Sequence, residues 1–319
     1  MTNLLDSLNS DYIKNVLPFL FKSATENSVT DFLSGYGSNS YNIKLDIKSL
    51  LECAPEYRPN DTNFIHFTSL RALHSILNEI GLRMYDLTGM NDPKEFEFIA
   101  KEFGFNDFQL KFHKERTHIF SMCSADILES TDILNMWRFY GGEGSGCAIE
   151  FEIDDPIRAI SSIKIAKVNY VKLDYSEFFD ANKKFEERNN RIVDLKDIIQ
   201  IPACLHKDPI YKTESEVRLF HEDGSQRPEK SFEENSIFGY DINSKNKIVS
   251  YHKVKLYNLE IGEPHIVIKR IQLGFKFPED KLKDLREHIT FIYFGIMKRL
   301  GRKIEIPVVE ISPLKGKYE

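Results

Sequence analysis

Two carboxylates and a guanidinium stand at alternate residues in Glu214-Ser-Glu216-Val-Arg218. In an extended chain alternate residues share a face, so the three charges are expected to project together. A carboxylate kept ionised by a neighbouring guanidinium is suited to stabilise positive charge developing on a reacting group. The same spacing also describes a strand face whose charges neutralise one another. Four further features can join this one. His66 lies in His-Phe-Thr68, directly before a helix-like stretch, where it can donate or accept a hydrogen bond or be a satisfied core histidine. Asn91-Asp-Pro93, with Glu95 just beyond, fits a turn, a nucleotide contact being the minor alternative. Ser121 interrupts an apolar run in Phe120-Ser-Met-Cys-Ser124, and Met136-Trp-Arg-Phe-Tyr140 holds the only tryptophan. Tyr85, Trp137 and Tyr140 offer flat faces to a cationic ring, or serve as plain core.

These residues need elements to position them. Asn63–Thr68 has the aromatic and β-branched content of a short buried strand. Ser69 then reads as the N-cap of an amphipathic helix with Leu70, Leu73, Ile76 and Leu77 on one side, stopped by Gly81. Strands are expected at Leu82–Tyr85, Thr117–Cys123, Gly146–Ile153, Ile165–Tyr170, Glu216–Phe220, Ile248–Leu256, Ile266–Leu273 and Ile304–Ile311. Helical patterns cover 176–200 and Pro278–Leu300. Ahead of these, Leu4–Leu33 and Leu45–Cys53 carry helix-like apolar spacing, separated by the turn-rich Gly35–Ser40. The reading is therefore an α+β chain, with a helical N-terminal extension over 1–60 and a main domain over 61–319.

Composition narrows the function classes. Net charge is −6, yet residues 240–319 carry 16 Lys and Arg against 10 Asp and Glu. The acidic total argues against tight nonspecific nucleic-acid binding, while the basic last quarter leaves room for an RNA or nucleotide contact. Cys53, Cys123, Cys147 and Cys204 lie far apart, which disfavours zinc and a disulfide framework. His206, His221, His252, His265 and His288 show no ligand spacing, so no metal is expected. Gly141-Gly-Glu-Gly144 lacks the features of a phosphate cradle, and no Gly-x-Ser-x-Gly is present. Asp154-Asp155 before Pro156 fits a turn better than a metal nuclease. With no apolar run long enough for a membrane span and no secretion signal in Met1–Asn27, the chain is expected to be cytoplasmic.

The ordered series His-aromatic-Thr at 66–68, Asn-Asp-Pro-x-Glu at 91–95, Ser-x-x-Ser at 121–124, Met-Trp-x-x-Tyr at 136–140, Gly-x-Ala-Ile-Glu-Phe at 146–151 and Glu-x-Glu-x-Arg at 214–218 resembles family 2971 of the bacterial domains of unknown function. The resemblance spans about residues 63–275. That family is in turn similar to ADP-ribosyltransferases, including toxins that modify nucleic acids. The resemblance implies an ADP-ribosyltransferase-like mixed sheet and NAD as substrate. It implies Glu216 and His66 as catalytic residues, and Glu214 at the acceptor. His66, Thr68, Tyr85, Ser121, Trp137, Tyr140 and Arg218 would line the NAD site, with Ser121 supporting Glu216. The implied acceptor is nucleic acid, messenger RNA among the options, or protein. The implied setting is a bacterial toxin or antiphage effector, with an antitoxin as a possible partner and no membrane. A non-catalytic nucleotide sensor is the alternative.

Overall fold

The computed structural model describes residues 2–22, 24, 29–34, 40–45, 50–51, 54–89, 94–154, 163–171, 174–222, 238–243, 246–260 and 264–318. The chain divides into two compact units. One comprises residues 1–58, 90–115 and 166–212; the other comprises 59–89, 116–165 and 213–319. The two units first part between residues 58 and 59, and the first unit also takes in 90–115 and 166–212.

The first unit opens with α1 (Thr2–Asn15). The expected helical run to Leu33 ends early, and the strands β1 (Val29–Ser34) and β2 (Ser40–Leu45) follow, paired antiparallel. The alternating Val-Thr-Asp-Phe-Leu and Tyr-Asn-Ile-Lys-Leu segments suit a hairpin, and the turn-rich residues between them join two strands instead of separating two helices. The extension is thus not purely helical. Of the helix expected over Leu45–Cys53, only Leu50 and Leu51 are described as helical; 46–49 and 52–53 lie outside the described residues.

The second element expected as one charged helix over 176–200 is interrupted. An α-helix over Ser176–Asn189 ends at Asn190, whose φ of 51° is left-handed, and a short strand over Ile192–Asp194 pairs parallel with β2 before a helix over Lys196–Leu205. Tyr12 donates to Asn182 Oδ1 at 2.8 Å, and its ring meets Phe185 edge-on at 4.9 Å.

The second unit holds a mixed sheet flanked by helices. Its strands are β3 (Asn63–Thr68), β4 (Gly81–Asp86), β5 (Thr117–Ser124), β6 (Cys147–Ile153), β7 (Ile163–Lys167), β9 (Glu216–Glu222), β10 (Phe238–Ile242), β11 (Ile248–Lys255), β12 (Ile266–Leu273) and β13 (Val308–Ile311); β8 is the Ile192–Asp194 strand of the first unit. The order is β10-β11-β4-β5-β3-β6-β12-β13, with β9 on β5 and β7 on β9; β12 and β13 run parallel.

Two helices cover one face. α2 (Leu70–Glu79) is capped by Ser69, whose hydroxyl accepts from the Ala72 amide at 3.1 Å, and it buries Leu73, Ile76 and Leu77. The helix is closed by Ile80 in the left-handed region at φ 49°, and Gly81, expected as the stop, begins β4. The long helix Leu282–Leu300, a turn shorter at its start than the expected one, buries Ile289, Tyr293 and Ile296, and Gly301 at φ 66° ends it. These residues join Phe64, Phe120, Met122, Ile149, Phe151, Val217 and Leu219 in one apolar core. The other face is packed by the short helix Ile133–Phe139, whose Met136 and Trp137 meet Ile65, Phe67, Cys123 and Phe275.

The glycine segment at 141–146 has a packing role. A Cβ at Gly146 would lie 2.2 Å from the Thr68 carbonyl, so only glycine lets this turn seat against the end of β3.

Candidate active site

β5 is the strand that the candidate residues flank. β9 pairs with it over Thr117–Cys123, which takes one whole edge. On the other edge β4 pairs only at His118 and Ile119, and β3 only at Cys123 and Ser124. The two strands therefore diverge at mid-strand and leave a fork beside Phe120–Met122.

His66 occupies that fork. Its Nδ1 lies 2.9 Å from the Ser121 carbonyl oxygen, and its ring lies over Phe120 at 4.3 Å between centroids. A carbonyl only accepts, so Nδ1 carries the proton and Nε2 keeps the lone pair of a neutral imidazole. Burial in these apolar surroundings disfavours the charged ring and lowers its pKa to about 4, against the opposing effect of the Ser121 carbonyl. At neutral pH His66 is an uncharged acceptor.

Opposite, on β9, Glu216 and Arg218 form a two-point pair. Arg218 Nε donates to Glu216 Oε1 at 2.7 Å, and a terminal guanidinium nitrogen donates to Oε2 at 3.0 Å. Glu216 is 5% exposed and Arg218 1%, so both charges are taken out of water and compensate each other. The shared face expected from strand alternation holds for these two. It does not hold for Glu214, which ends a 3-10 turn over Pro209–Glu214 and is separated from the strand by Ser215 at φ 45°. A left-handed residue rotates the chain, and Glu214 turns instead to Tyr140, accepting its hydroxyl proton at 2.7 Å.

Ser121 links the two sides of β5. It is the register partner of Arg218, and its carbonyl receives His66. The contact expected from Ser121 to Glu216 is thus replaced by one from its backbone to His66. Strand alternation places Glu216, Arg218, Ser121 and Tyr85 on the face of Cys123 and Trp137, and His66 and Thr68 on the face of Phe64 and Ile149. His66 and Glu216 approach β5 from its two faces and its two edges.

The aromatics separate into distinct roles. Trp137 is fully buried, edge-on to Phe67 at 5.1 Å, so it is core and not a surface for a ligand ring. Tyr140 is 38% exposed and its neighbour Phe139 75%. Tyr85 donates to Asp241 Oδ2 at 2.8 Å, beside Arg83, which reaches the same oxygen at 2.7 Å. Burial, with the Asp241 carboxylate adding to it, pushes the Tyr85 phenol up to about 12. Asn91, Asp92 and Pro93 lie outside the described residues, and so does the side chain of Glu95.

Residues 136–219 match a family model described as a protein of unknown function, DUF2971. Over that segment the chain is similar to the DUF2971 family. No curated protein and no solved structure matches the chain. The DUF2971 segment contains Trp137, Tyr140, Glu214, Glu216 and Arg218, while His66, Thr68, Tyr85 and Ser121 precede it.

One polar cluster escapes the motifs of the DUF2971 segment and the rest of the sequence alike. His118, His221 and His252 are buried together, with the His221 and His252 rings 4.2 Å apart. Ser250 approaches His118 Nε2 at 3.2 Å and donates to Asp86 Oδ2 at 2.6 Å through its hydroxyl and at 2.7 Å through its amide. Four strands supply these residues, so no spacing along the chain reveals them. No metal-holding group of three or more His, Cys, Asp or Glu occurs among the described residues.

Proposed function

We propose that the second unit is an NAD-dependent ADP-ribosyltransferase, with nucleic acid as the acceptor class and a toxin or antiphage effector as its setting. The observation that carries the chemistry is the arrangement around Ser121: an anionic carboxylate on its β9 partner strand and a neutral imidazole on its carbonyl. Transfer breaks the bond between the nicotinamide nitrogen and the ribose carbon, the leaving ring taking the electron pair. An acceptor nucleophile then bonds that carbon and gives up a proton. Glu216 would stabilise the oxocarbenium-like centre. His66, on the opposite face of β5, would act as a positioning residue, holding the Ser121 carbonyl and with it the strand that pairs with Arg218. Tyr140, oriented by Glu214 and partly exposed, would meet the acceptor, and exposed Phe139 adds a ring on which a base can stack. The nucleic-acid acceptor and the biological setting rest on the resemblance and on the basic last quarter of the chain.

A second reading, a nucleotide sensor without turnover, is favoured by the near-complete burial of the Glu216–Arg218 pair. Release of free nicotinamide from NAD, with nucleic acid and protein acceptors supplied, separates the two. Wild type should release it and Glu216→Gln should not. NAD binding without release by either protein would establish the sensor. Labelled ADP-ribose that resists nuclease and disappears with protease would replace the nucleic-acid acceptor with protein.

A further inference from the structure

The helix Leu282–Leu300 turns Ile289, Tyr293 and Ile296 inward and leaves Phe291 76% and Phe294 60% exposed. At 3.6 residues per turn, Asp284, Glu287, His288, Phe291, Phe294, Gly295 and Lys298 follow one outward stripe, and all seven are exposed. The stripe is symmetric in a particular way. Phe291 is at its centre, with Asp284 seven residues before it and Lys298 seven after. Glu287 lies on the acidic half, where Lys283 beside the stripe pairs with it at 3.9 Å, and Arg299 flanks the basic half while donating to the Asn78 carbonyl. Neither Asp284 nor Lys298 has an ion-pair partner among the described residues. Gly295 has nothing within 4 Å of the position its Cβ would take, so another chain can approach the backbone there.

We infer that this stripe is a docking face for a second copy of the same chain, the two helices running antiparallel about a two-fold axis at Phe291. Such an axis sets Asp284 against Lys298 of the second copy twice over, and packs Phe291 and Phe294 of both copies between these pairs. The charge order, acidic then aromatic then basic, is self-complementary only in the antiparallel sense. A 19-residue helix is about 28 Å long, so this contact alone falls below about 1,000 Å² and gives a weak, concentration-dependent dimer. The inference is independent of the proposed reaction.

Sedimentation velocity of the full chain from about 1 to 200 µM tests it. Wild type should pass from monomer to dimer, and Phe291→Glu should stay monomeric while keeping its far-UV circular dichroism. Asp284→Lys and Lys298→Asp should each weaken association about fivefold or more, and the two together should restore it. A wild type monomeric throughout, a dimer that survives Phe291→Glu, or a double variant no better than the singles would each overturn the inference. So would a monomer that binds vesicles of anionic lipid through Phe291, because the face would then belong to a membrane.

Discussion

The two faces of β9 handle buried polarity in opposite ways. On one, Glu216 and Arg218 satisfy each other two residues apart in the same strand. On the other, His221 joins His118 and His252, while Asp86 takes both donors of Ser250, and the set requires β4, β5, β9 and β11 at once. The first arrangement is local and charged; the second is nonlocal and built from hydrogen bonds. A local pair survives small shifts of neighbouring strands, whereas the nonlocal set records the register of four of them. Chemistry that must be held ready is therefore better served by the first face, and fold specification by the second.

Breaking the local pair should give the largest effect. Arg218→Ala removes the guanidinium that pairs with buried Glu216, at a cost of about 3–5 kcal/mol. Replacing both residues by Met should recover much of that stability in urea unfolding, without restoring any activity. Asp86→Ala should come next. It strands the Ser250 amide and hydroxyl, and about 1–3 kcal/mol of stability should be lost, with no recovery from a second substitution at Ser250 because its backbone amide remains.

Acidification should act more weakly. The pKa of His66 is about 4 in the folded chain, below the ordinary value near 6.5, so the unfolded chain binds the proton first. Stability should fall as pH drops from about 6.5 towards 4, and His66→Phe should flatten that part of the curve. His206, lowered to about 3 by burial beside Tyr57, adds a contribution of the same sign in the first unit. If unfolding free energy is unchanged between pH 7 and pH 5, neither imidazole is held neutral. Smallest of all, Tyr140→Phe should leave stability within about 0.5 kcal/mol, since the lost bond to Glu214 is exposed. Its effect should fall on acceptor labelling, measured against nicotinamide release.

Local signals in the sequence reached far. The strand Asn63–Thr68, the Ser69 cap and the strand Ile266–Leu273 were legible because aromatic and β-branched content, capping chemistry and alternation act over a few residues. The face shared by Glu216 and Arg218 was legible for the same reason. Glu214 was not, because one left-handed residue, Ser215, breaks the alternation that two identical side chains suggest. Nor was the place of His66, which depends on β3 and β4 diverging along β5, a fact of pairing and not of periodicity. The strands of the N-terminal unit were hidden by apolar residues whose spacing also fits a helix. Trp137 illustrates a further limit: composition marked it, and only packing shows that Phe67 covers it.

The central claim is that His66 and Glu216, on different strands, serve one reaction through β5. A double-mutant cycle on nicotinamide release from NAD, using His66→Ala, Glu216→Gln and the pair, tests it most directly. Each single variant should slow release by roughly 100-fold or more, and the double should be no slower than the slower single. Effects that multiply, or a His66→Ala protein as fast as wild type, would contradict it.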